Sequence, residues 1–326
     1  MNKWTRAICA TALALGAALG AFAQDYPSRP VKLIVGFGAG GATDAIARLY
    51  GQKMSELLKQ PFIIENRPGA GQLTAIRTLQ SAQPDGYTLY LGTGSSLAQG
   101  PGMRKDLPYD PLKDFNLVAL VATTPGVIIV PAVMPVRTVA ELLAYSAAHP
   151  GKINYGSAGH GTASHLQVEY FQSLTQTKWT HVPYKSDADV VREIGEDRIQ
   201  FSISTTQQSM PLIKAGKLRA LAVTTSQPLS YMPGVATLRE TGVKGLESIE
   251  PYTFYGLVAP NGTPAAVVSR LNEAVNQISG MPEIKSRMTE SLFAEPATST
   301  PASFRTFMEK EVAKWTQVGK TVKLPD

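Results

Sequence analysis

Three glycines near the beginning of the sequence have the spacing of a dinucleotide-binding loop. Gly36, Gly38 and Gly41 fit the pattern G-x-G-x-x-G, directly after the apolar run Val31–Val35. Glu65 closes the next apolar run, at roughly the 20-residue distance where such loops have an acidic residue for the ribose. On this pattern alone, the chemistry would be hydride transfer with a nicotinamide cofactor.

A second glycine-rich stretch, residues 156–162, also stands between a predicted strand and a predicted helix. Each stretch places a hydroxyl at the predicted start of its helix, Thr43 in the first and Thr162 in the second. Helix N-termini present free N–H groups and partial positive charge, and glycine lets a ligand approach them closely. Two such loops that face each other across a cleft predict a site for a small anion, most simply a carboxylate.

Asp44 favours the anion site over the cofactor site. A carboxylate in the first turn of a helix competes with a pyrophosphate for the same N–H groups. Asp44 fits either a helix cap or a residue that orders water and donors around a ligand.

Ser157 is the residue that would suggest a hydrolase. The nucleophile motif G-x-S-x-G requires glycine at position 155, where this chain has Tyr155. No base is evident beside Ser157 in the sequence, so we predict no catalytic serine.

The chain contains four histidines: His149, His160, His165 and His181. None of them shows H-E-x-x-H or another dense ligand spacing, so we predict no metal site. His160 lies between two loop glycines, and its position is consistent with a ligand contact or with a solvated loop. For His165, packing against the helix start is favoured over a ligand contact.

The elements that would position these residues alternate between strand and helix. Strands predicted at 31–35, 62–65 and 87–91 are separated by helices that begin at Thr43 or Asp44 and at Leu73. This order predicts a parallel sheet with helices on its faces. A second unit has strands predicted at 152–155, 180–184, 199–204 and 218–224. The run 117–130 and the run 252–259 predict two crossings between the units, which is typical of a hinged clamp.

The first 23 residues have the features of a secretory signal peptide. Lys3 and Arg6 form a basic region, an apolar stretch follows, and residues 21–23 read Ala-Phe-Ala, which is a cleavage signal.

The only cysteine, Cys9, lies inside this segment, so the mature chain has no thiol for catalysis, disulfides or metal binding. Removal of the signal lowers the formal net charge from +6 to +4, without a basic run, which does not favour nucleic acid as a partner. An exported chain also meets little reduced nicotinamide cofactor.

Several further segments resemble the Bug family, the substrate-binding receptors of tripartite tricarboxylate transporters. They are YPSRPVKLIV at 26–35, GG-x-TD at 40–44, ENRPGAG at 65–71, PDGYTL at 84–89, LPYDPLKDF at 107–115, PGKINYGSAGHGTASHL at 150–166, HVPYK at 181–185, IKAGKLRALAV at 213–223 and APNGTP at 259–264. So many matches in order make the family resemblance specific, and they extend from Tyr26 nearly to the C-terminus.

The resemblance implies a type II periplasmic binding-protein fold that holds a ligand carboxylate between two loops, partly through water. Carried over by position, the ligand-binding residues are Gly40, Gly41, Thr43, Asp44, Ser157, Gly159, Gly161 and Thr162. Ser95, in the stretch 92–96 that ends the third strand, matches the family less tightly. His160 and Asp187 complete the set of candidate residues.

The chain departs from the family pattern at three places. Relatives usually have proline where this chain has Gly36 and Ala39, so we expect a looser first loop. They usually have two glycines where this chain has Ser186 and Asp187, and often an acid where it has Ser204. Asp187 is either a helix cap or a ligand contact. If it faces the cleft, it disfavours a second carboxylate nearby and favours a monocarboxylate, or a diacid long or rigid enough to keep its second acid away.

We therefore expect an α/β protein with a two-lobe type II binding-protein fold, each lobe a mostly parallel sheet flanked by helices. The expected organisation is a signal peptide over 1–23, a first lobe over 24–123 and 250–326, and a second lobe over 124–249. The expected function is capture of a small organic acid in the periplasm by a monomer that presents it to membrane permease subunits, without catalysis, cofactor or metal. The alternatives are an exported NAD-type oxidoreductase and a ligand sensor that docks a receptor kinase.

Overall fold

The computed structural model describes residues 26–104, 106–249 and 251–321. The predicted signal peptide, residues 1–23, lies outside this part of the chain. Among the residues described, no helix combines the length and the apolar character needed to cross a membrane.

The strands and helices follow one another in an α/β order. The strands are β1 (Val31–Val35), β2 (Phe62–Asn66), β3 (Thr88–Thr93), β4 (Phe115–Thr124), β5 (Gly126–Pro131), β6 (Asn154–Ser157), β7 (Thr180–Pro183), β8 (Ser202–Thr205), β9 (Leu218–Val223), β10 (Thr253–Pro260) and β11 (Glu295–Pro296). The helices are α1 (Ala42–Leu58), α2 (Leu73–Gln80), α3 (Gly100–Met103), α4 (Val139–Ala148), α5 (Ala163–Thr175), α6 (Asp187–Gly195), α7 (Thr206–Lys214), α8 (Ala265–Gly280), α9 (Pro282–Ser286) and α10 (Pro301–Thr321). Short 3₁₀ segments lie at Ala70–Gln72 and Leu246–Ile249, and π-helical segments at Ser95–Gln99 and Arg287–Ser291.

The first lobe is built on a six-stranded sheet with the order β11-β4-β10-β3-β1-β2. Strand β1 pairs in parallel with both β2 and β3. Val31, Leu33, Ile34 and Val35 of β1 are all buried, which is typical of a parallel strand covered by helices on both faces. The carboxyl ends of β1 and β3 therefore lie side by side, at the edge where the first glycine loop begins.

The second lobe combines a three-stranded sheet, β8-β5-β9, with the parallel pair β6-β7. A parallel bridge between Tyr155 and Phe201 connects the two sets of strands. The rings of Phe171, Trp179 and Phe201 pack beside them, with the Trp179 and Phe201 centroids 4.5 Å apart. This core fixes the end of β6, where the second glycine loop begins.

The strand pairing is mixed, whereas the sequence predicted mostly parallel sheets. Strand β10 is antiparallel to β3 and β4, and β5 is antiparallel to β8 and β9. The physical reason is the connection between the lobes: β4 ends at Thr124 and β5 begins at Gly126, so one extended segment passes from one sheet into the other. Such a segment, and the returning strand β10, do not follow the strand–helix–strand repeat that makes neighbours parallel.

Candidate functional site

An open cavity of about 730 Å³ lies between the two glycine loops. Its lining residues come from the first loop, residues 68–73, the end of β3 and the segment that follows it, the second loop, the start of α6, the end of β8 and the start of β10. They include Phe37, Gly38, Thr43, Ser95, Gly161, Thr162, Asp187 and Tyr252. Phe37, one of the few large apolar side chains with substantial exposure, faces this space.

Two helices begin at the cavity without a side-chain cap. Helix α1 follows Gly41, which has no side chain to offer, and α5 follows Thr162, whose hydroxyl donates instead to the Gly159 carbonyl at 2.7 Å. By contrast, α4, α6 and α7 are each capped by a hydroxyl, from Thr138, Ser186 and Thr205 respectively. The first-turn N–H groups of α1 and α5 are therefore not taken up by a cap. This is the arrangement that binds anions at helix N-termini.

Asp44 stabilises the conformation of the first loop through three hydrogen bonds. Its carboxylate accepts from the Gly40 N–H, the Asn66 Nδ2 and the Arg48 Nε, each at 2.9 Å. The hydrogen bond from Arg48 is the main reason why the pKa of Asp44 falls to about 2, although its burial opposes the shift. The predicted N-cap at Thr43 or Asp44 is wrong by two or three residues, because Asp44 reaches back to the loop and helix α1 already begins at Ala42.

The end of β3 is held by Gln72, a residue that sequence reasoning missed. The Gln72 side-chain amide donates to the hydroxyls of Thr93 and Ser95 at 3.1 and 2.9 Å, and its carbonyl accepts from the Tyr90 hydroxyl at 2.8 Å. A side chain at Gly36 would meet the Gln72 Cγ at 2.8 Å, so glycine at position 36 leaves room for this amide. Gln72 directly follows the ENRPGAG segment, but nothing in its type or spacing predicts this role.

Ser157 does have a base beside it, which corrects the prediction made from the sequence. Its Oγ lies 2.6 Å from the His181 Nε2. Ser157 is fully buried, however, does not line the cavity, and also exchanges hydrogen bonds with the backbone of Gly159. A substrate carbonyl has no access to this oxygen, so the pair positions the second loop instead of forming a nucleophile.

Three histidines that are distant in sequence come together at the same loop. The ligand atoms of His160, His165 and His181 lie within 4.8 Å of one another, so the sequence spacing on which the prediction of no metal site rested does not exclude one. A tetrahedral zinc site has Zn–N bonds of roughly 2.0–2.1 Å, so the three rings would have to move together to share an ion. His165 Nδ1 accepts from the Gly161 N–H at 3.1 Å, and the His165 and His181 rings stack 4.3 Å apart. Burial lowers the pKa of both His165 and His181 to about 4, so these rings are neutral at pH 7.

Asp187 and Tyr252 are two further polar residues that line the cavity. Among the residues described, the Asp187 Oδ1 and the Tyr252 hydroxyl are buried without a hydrogen bond of ordinary geometry. Burial raises the pKa of both groups, and the charge of Asp187 raises that of Tyr252 further. The Ser164 side chain interacts with both groups and opposes the rise of their pKa values. Sequence reasoning identified Asp187 but placed Tyr252 only in a crossing strand.

The structure thus divides the predicted site residues into two groups. Those that line the cavity are Thr43, Ser95, His160, Gly161, Thr162 and Asp187. Those that shape the loops without lining the cavity are Gly40, Gly41, Asp44, Ser157 and Gly159. Further lining residues that were not predicted include Gln72, Gln99, Thr205, Tyr252 and Tyr255.

A family model described as the tripartite tricarboxylate transporter family receptor matches residues 46–324. The chain belongs to this family. A UPF0065 protein of Bordetella pertussis is 37% identical over 273 residues, which cover 84% of this chain and 83% of the relative. The α/β class and the two-lobe binding-protein fold are thereby confirmed, as is the resemblance found in the sequence.

Two similar solved structures contain a bound carboxylate ligand. A protein of R. palustris with adipate is 34% identical, with a TM-score of 0.76, and covers 91% of this chain and 98% of its own. MatC from Rhodopseudomonas palustris with bound malate is 28% identical, with a TM-score of 0.72, and covers 90% of this chain and all of its own. Membership in the tripartite tricarboxylate transporter receptor family gives no support to the oxidoreductase alternative.

Proposed function

We propose that this receptor captures a small organic acid in the periplasm and presents it to a tripartite tricarboxylate transporter. The observation that carries the proposal is the meeting of two uncapped helix N-termini, those of α1 and α5, at one cavity. Their N–H groups suit a carboxylate, because they donate hydrogen bonds and carry partial positive charge. Adipate and malate in the similar structures are both carboxylates, which supports the same ligand class here.

The residues proposed to contact the ligand follow from the lining of the cavity. Backbone N–H groups near Thr43 and Thr162 would bind the carboxylate, and Ser95 and His160 would lie beside it. Gly40, Gly41, Asp44, Ser157 and Gly159 would act by setting the loop conformation. Phe37 would cover the body of the ligand.

The cellular setting follows from the family and from the sequence. We propose that residues 1–23 are removed on export, that residues 24–123 and 250–326 form one lobe, and that residues 124–249 form the other. The protein would act as a monomer that docks on the membrane subunits of the transporter. Docking on a receptor kinase is the alternative use of the same ligand-bound form, and loss of uptake on deletion of neighbouring permease genes would favour transport.

A thermal-shift screen with purified protein tests the ligand class. The probes are aliphatic and aromatic mono-, di- and tricarboxylates, with NAD as a separate arm. A carboxylate at 100 times its dissociation constant should stabilise the fold by about 2.7 kcal/mol. Stabilisation by NAD alone would contradict the proposal.

A glycine substitution tests the site directly. A Cβ at Gly38 would meet no atom within 4 Å, so Gly38→Val should fold. Because Gly38 lines the cavity, the valine side chain would occupy space beside the first loop that the ligand needs. We expect it to weaken carboxylate binding at least about tenfold, because loss of one charge-assisted hydrogen bond costs about 1.5–3 kcal/mol. Gly280→Val, at the end of α8, has the same open space and should leave binding unchanged. Equal affinity in both variants would show that the ligand does not lie against the first loop.

A further inference from the structure

Asp187 occupies the first position of helix α6 but is not its cap. Ser186 provides the cap, because its hydroxyl accepts from the Asp189 N–H. Asp189 is the acid that serves the helix start, with a bond from the Ser186 hydroxyl at 2.8 Å and an ion pair with Arg192 at 3.0 Å. The cap is therefore complete without Asp187, whose carboxylate gains only the general attraction of a first-turn acid to the helix dipole.

The surroundings of Asp187 do not compensate its charge. Arg104, the positively charged arginine in the cavity lining, already pairs with Asp106 at 2.8 Å. Among the residues described, Asp187 makes no ion pair, and its Oδ1 is buried without a hydrogen bond of ordinary geometry. Burial is the main cause of its raised pKa, and the Ser164 hydroxyl only partly opposes that rise.

Tyr252 adds a second polar residue to the lining of the same cavity. Its hydroxyl is buried, and its backbone carbonyl accepts from the Gln167 side-chain amide at 2.8 Å, which ties the main chain at Tyr252 to α5. Both residues line the cavity into which the N-termini of α1 and α5 open.

A buried acceptor without a donor is unfavourable, and a ligand that supplies the donor removes that cost. A hydroxyl or an ammonium group on the ligand would donate to the Asp187 carboxylate, which lines the cavity, and an ammonium would also neutralise it. A second ligand carboxylate would have no proton to donate and would add a like charge in a partly desolvated place. A ligand carboxylate is therefore disfavoured beside Asp187, whereas the helix N-termini favour one.

We propose that the Asp187 carboxylate, as acceptor, and the Tyr252 hydroxyl, as donor or acceptor, form a subsite that selects organic acids with a hydroxyl or amino group away from the bound carboxylate. The proposal rests on the proposed function, since it takes for granted that the loops hold a carboxylate. The ligand class that it names is the hydroxy or amino monocarboxylic acids, with short dicarboxylic acids disfavoured.

Isothermal calorimetry with acids that differ only in the distal group tests the subsite. Butyrate, 4-hydroxybutyrate, 4-aminobutyrate and succinate all have four carbons and a carboxylate at C1, and they differ in the group at C4. The corresponding sets with three, five and six carbons cover other distances. For at least one length, wild type should bind the hydroxy or amino acid tightest and the diacid weakest. Asp187→Asn should reduce the ratio of the dissociation constants of the diacid and the amino acid by about tenfold, equivalent to about 1.4 kcal/mol.

Two further variants keep the test decisive. Asp189→Asn removes an acid two residues away that does not line the cavity, and the order of the ligands should stay the same. Tyr252→Phe should lower affinity for the hydroxy acid relative to butyrate, and it tests the subsite independently if Asp187→Asn is not stably folded.

The outcomes separate this subsite from the function on which it rests. Carboxylates that bind wild type with an order unaffected by Asp187→Asn and Tyr252→Phe would overturn the subsite alone. Wild-type protein that binds none of the acids in the sets would overturn the subsite, and the proposed function would fall with it if no carboxylate of the thermal-shift screen stabilised the protein either.

Discussion

Replacement of Asp44 by asparagine should destabilise the protein without changing the shape of the side chain. Asp44 is buried and accepts three hydrogen bonds, from Gly40, Asn66 and Arg48. Asparagine keeps one acceptor oxygen but removes the negative charge that Arg48 pairs with. The first glycine loop would then be held to β2 by weaker contacts.

The size of the effect follows from the pKa of Asp44. Its shift from the usual 3.8 to about 2 corresponds to about 2.4 kcal/mol, at roughly 1.36 kcal/mol for each pKa unit. The side chain of Arg48 is 53% exposed, so solvent screens the main interaction and reduces this value. We therefore expect Asp44→Asn to lower the free energy of unfolding by about 1–2 kcal/mol at pH 7.

The sign of the pH dependence follows from the lowered pKa. Asp44 stabilises the folded state fully at pH values above 3.8, its usual pKa, and the stabilisation is lost as the pH falls towards about 2. The difference between wild type and Asp44→Asn should therefore be largest at neutral pH. At pH 3 about half of it should remain.

Urea unfolding of both proteins at several pH values between 7 and 3 measures this difference. Asp197→Asn is a suitable control, because Asp197 is exposed and asparagine tolerates its left-handed φ of 57°. The control should match wild type throughout. A difference for Asp44→Asn that stays constant with pH, or that grows in acid, would refute the assignment of its pKa to the loop contacts.

Two further predictions concern acid stability and export. Burial lowers the pKa of His165 to about 4, whereas the unfolded chain takes up this proton near pH 6.5; the free energy of unfolding should therefore fall as the pH drops from 6.5 to 4. His165→Asn should flatten that slope in urea titrations, and an unchanged slope would show that another group causes it. The predicted signal peptide should be cut after Ala23, so mass spectrometry of the exported protein should find Gln24 as its first residue; a periplasmic form that retains Met1 would contradict this.

The parts of the site that could be predicted from sequence are those set by local pattern. Glycine-rich stretches between a strand and a helix identified both loops, and the departure from the family at Asp187 drew attention to the residue that now lines the cavity. The order of strands and helices in the first lobe was also predicted, because apolar periodicity is a local signal.

The remaining features depend on contacts between segments that are far apart in the chain. Ser157 and His181 are 24 residues apart, and Gln72 and Thr93 are 21 residues apart. Nothing in the spacing of these residues indicates that the fold joins them. The antiparallel insertion of β10 into the first sheet was missed for the same reason, since a single apolar strand carries no information on the direction of its partners.

The short junction between β4 and β5 has a mechanical consequence. Only Pro125 separates the two strands, and the fixed φ of proline removes one of its two soft rotations. The second connection between the lobes, which contains Tyr252, packs directly against this junction. A Cβ added at Gly126 would lie only 2.7 Å from the Tyr252 ring. Because the two connections between the lobes are in contact, they form a single hinge. We expect the lobes to rotate about this hinge and not to slide past each other. Tyr252 lies both at this junction and in the cavity wall, so we expect a ligand in contact with Tyr252 to influence the angle between the lobes.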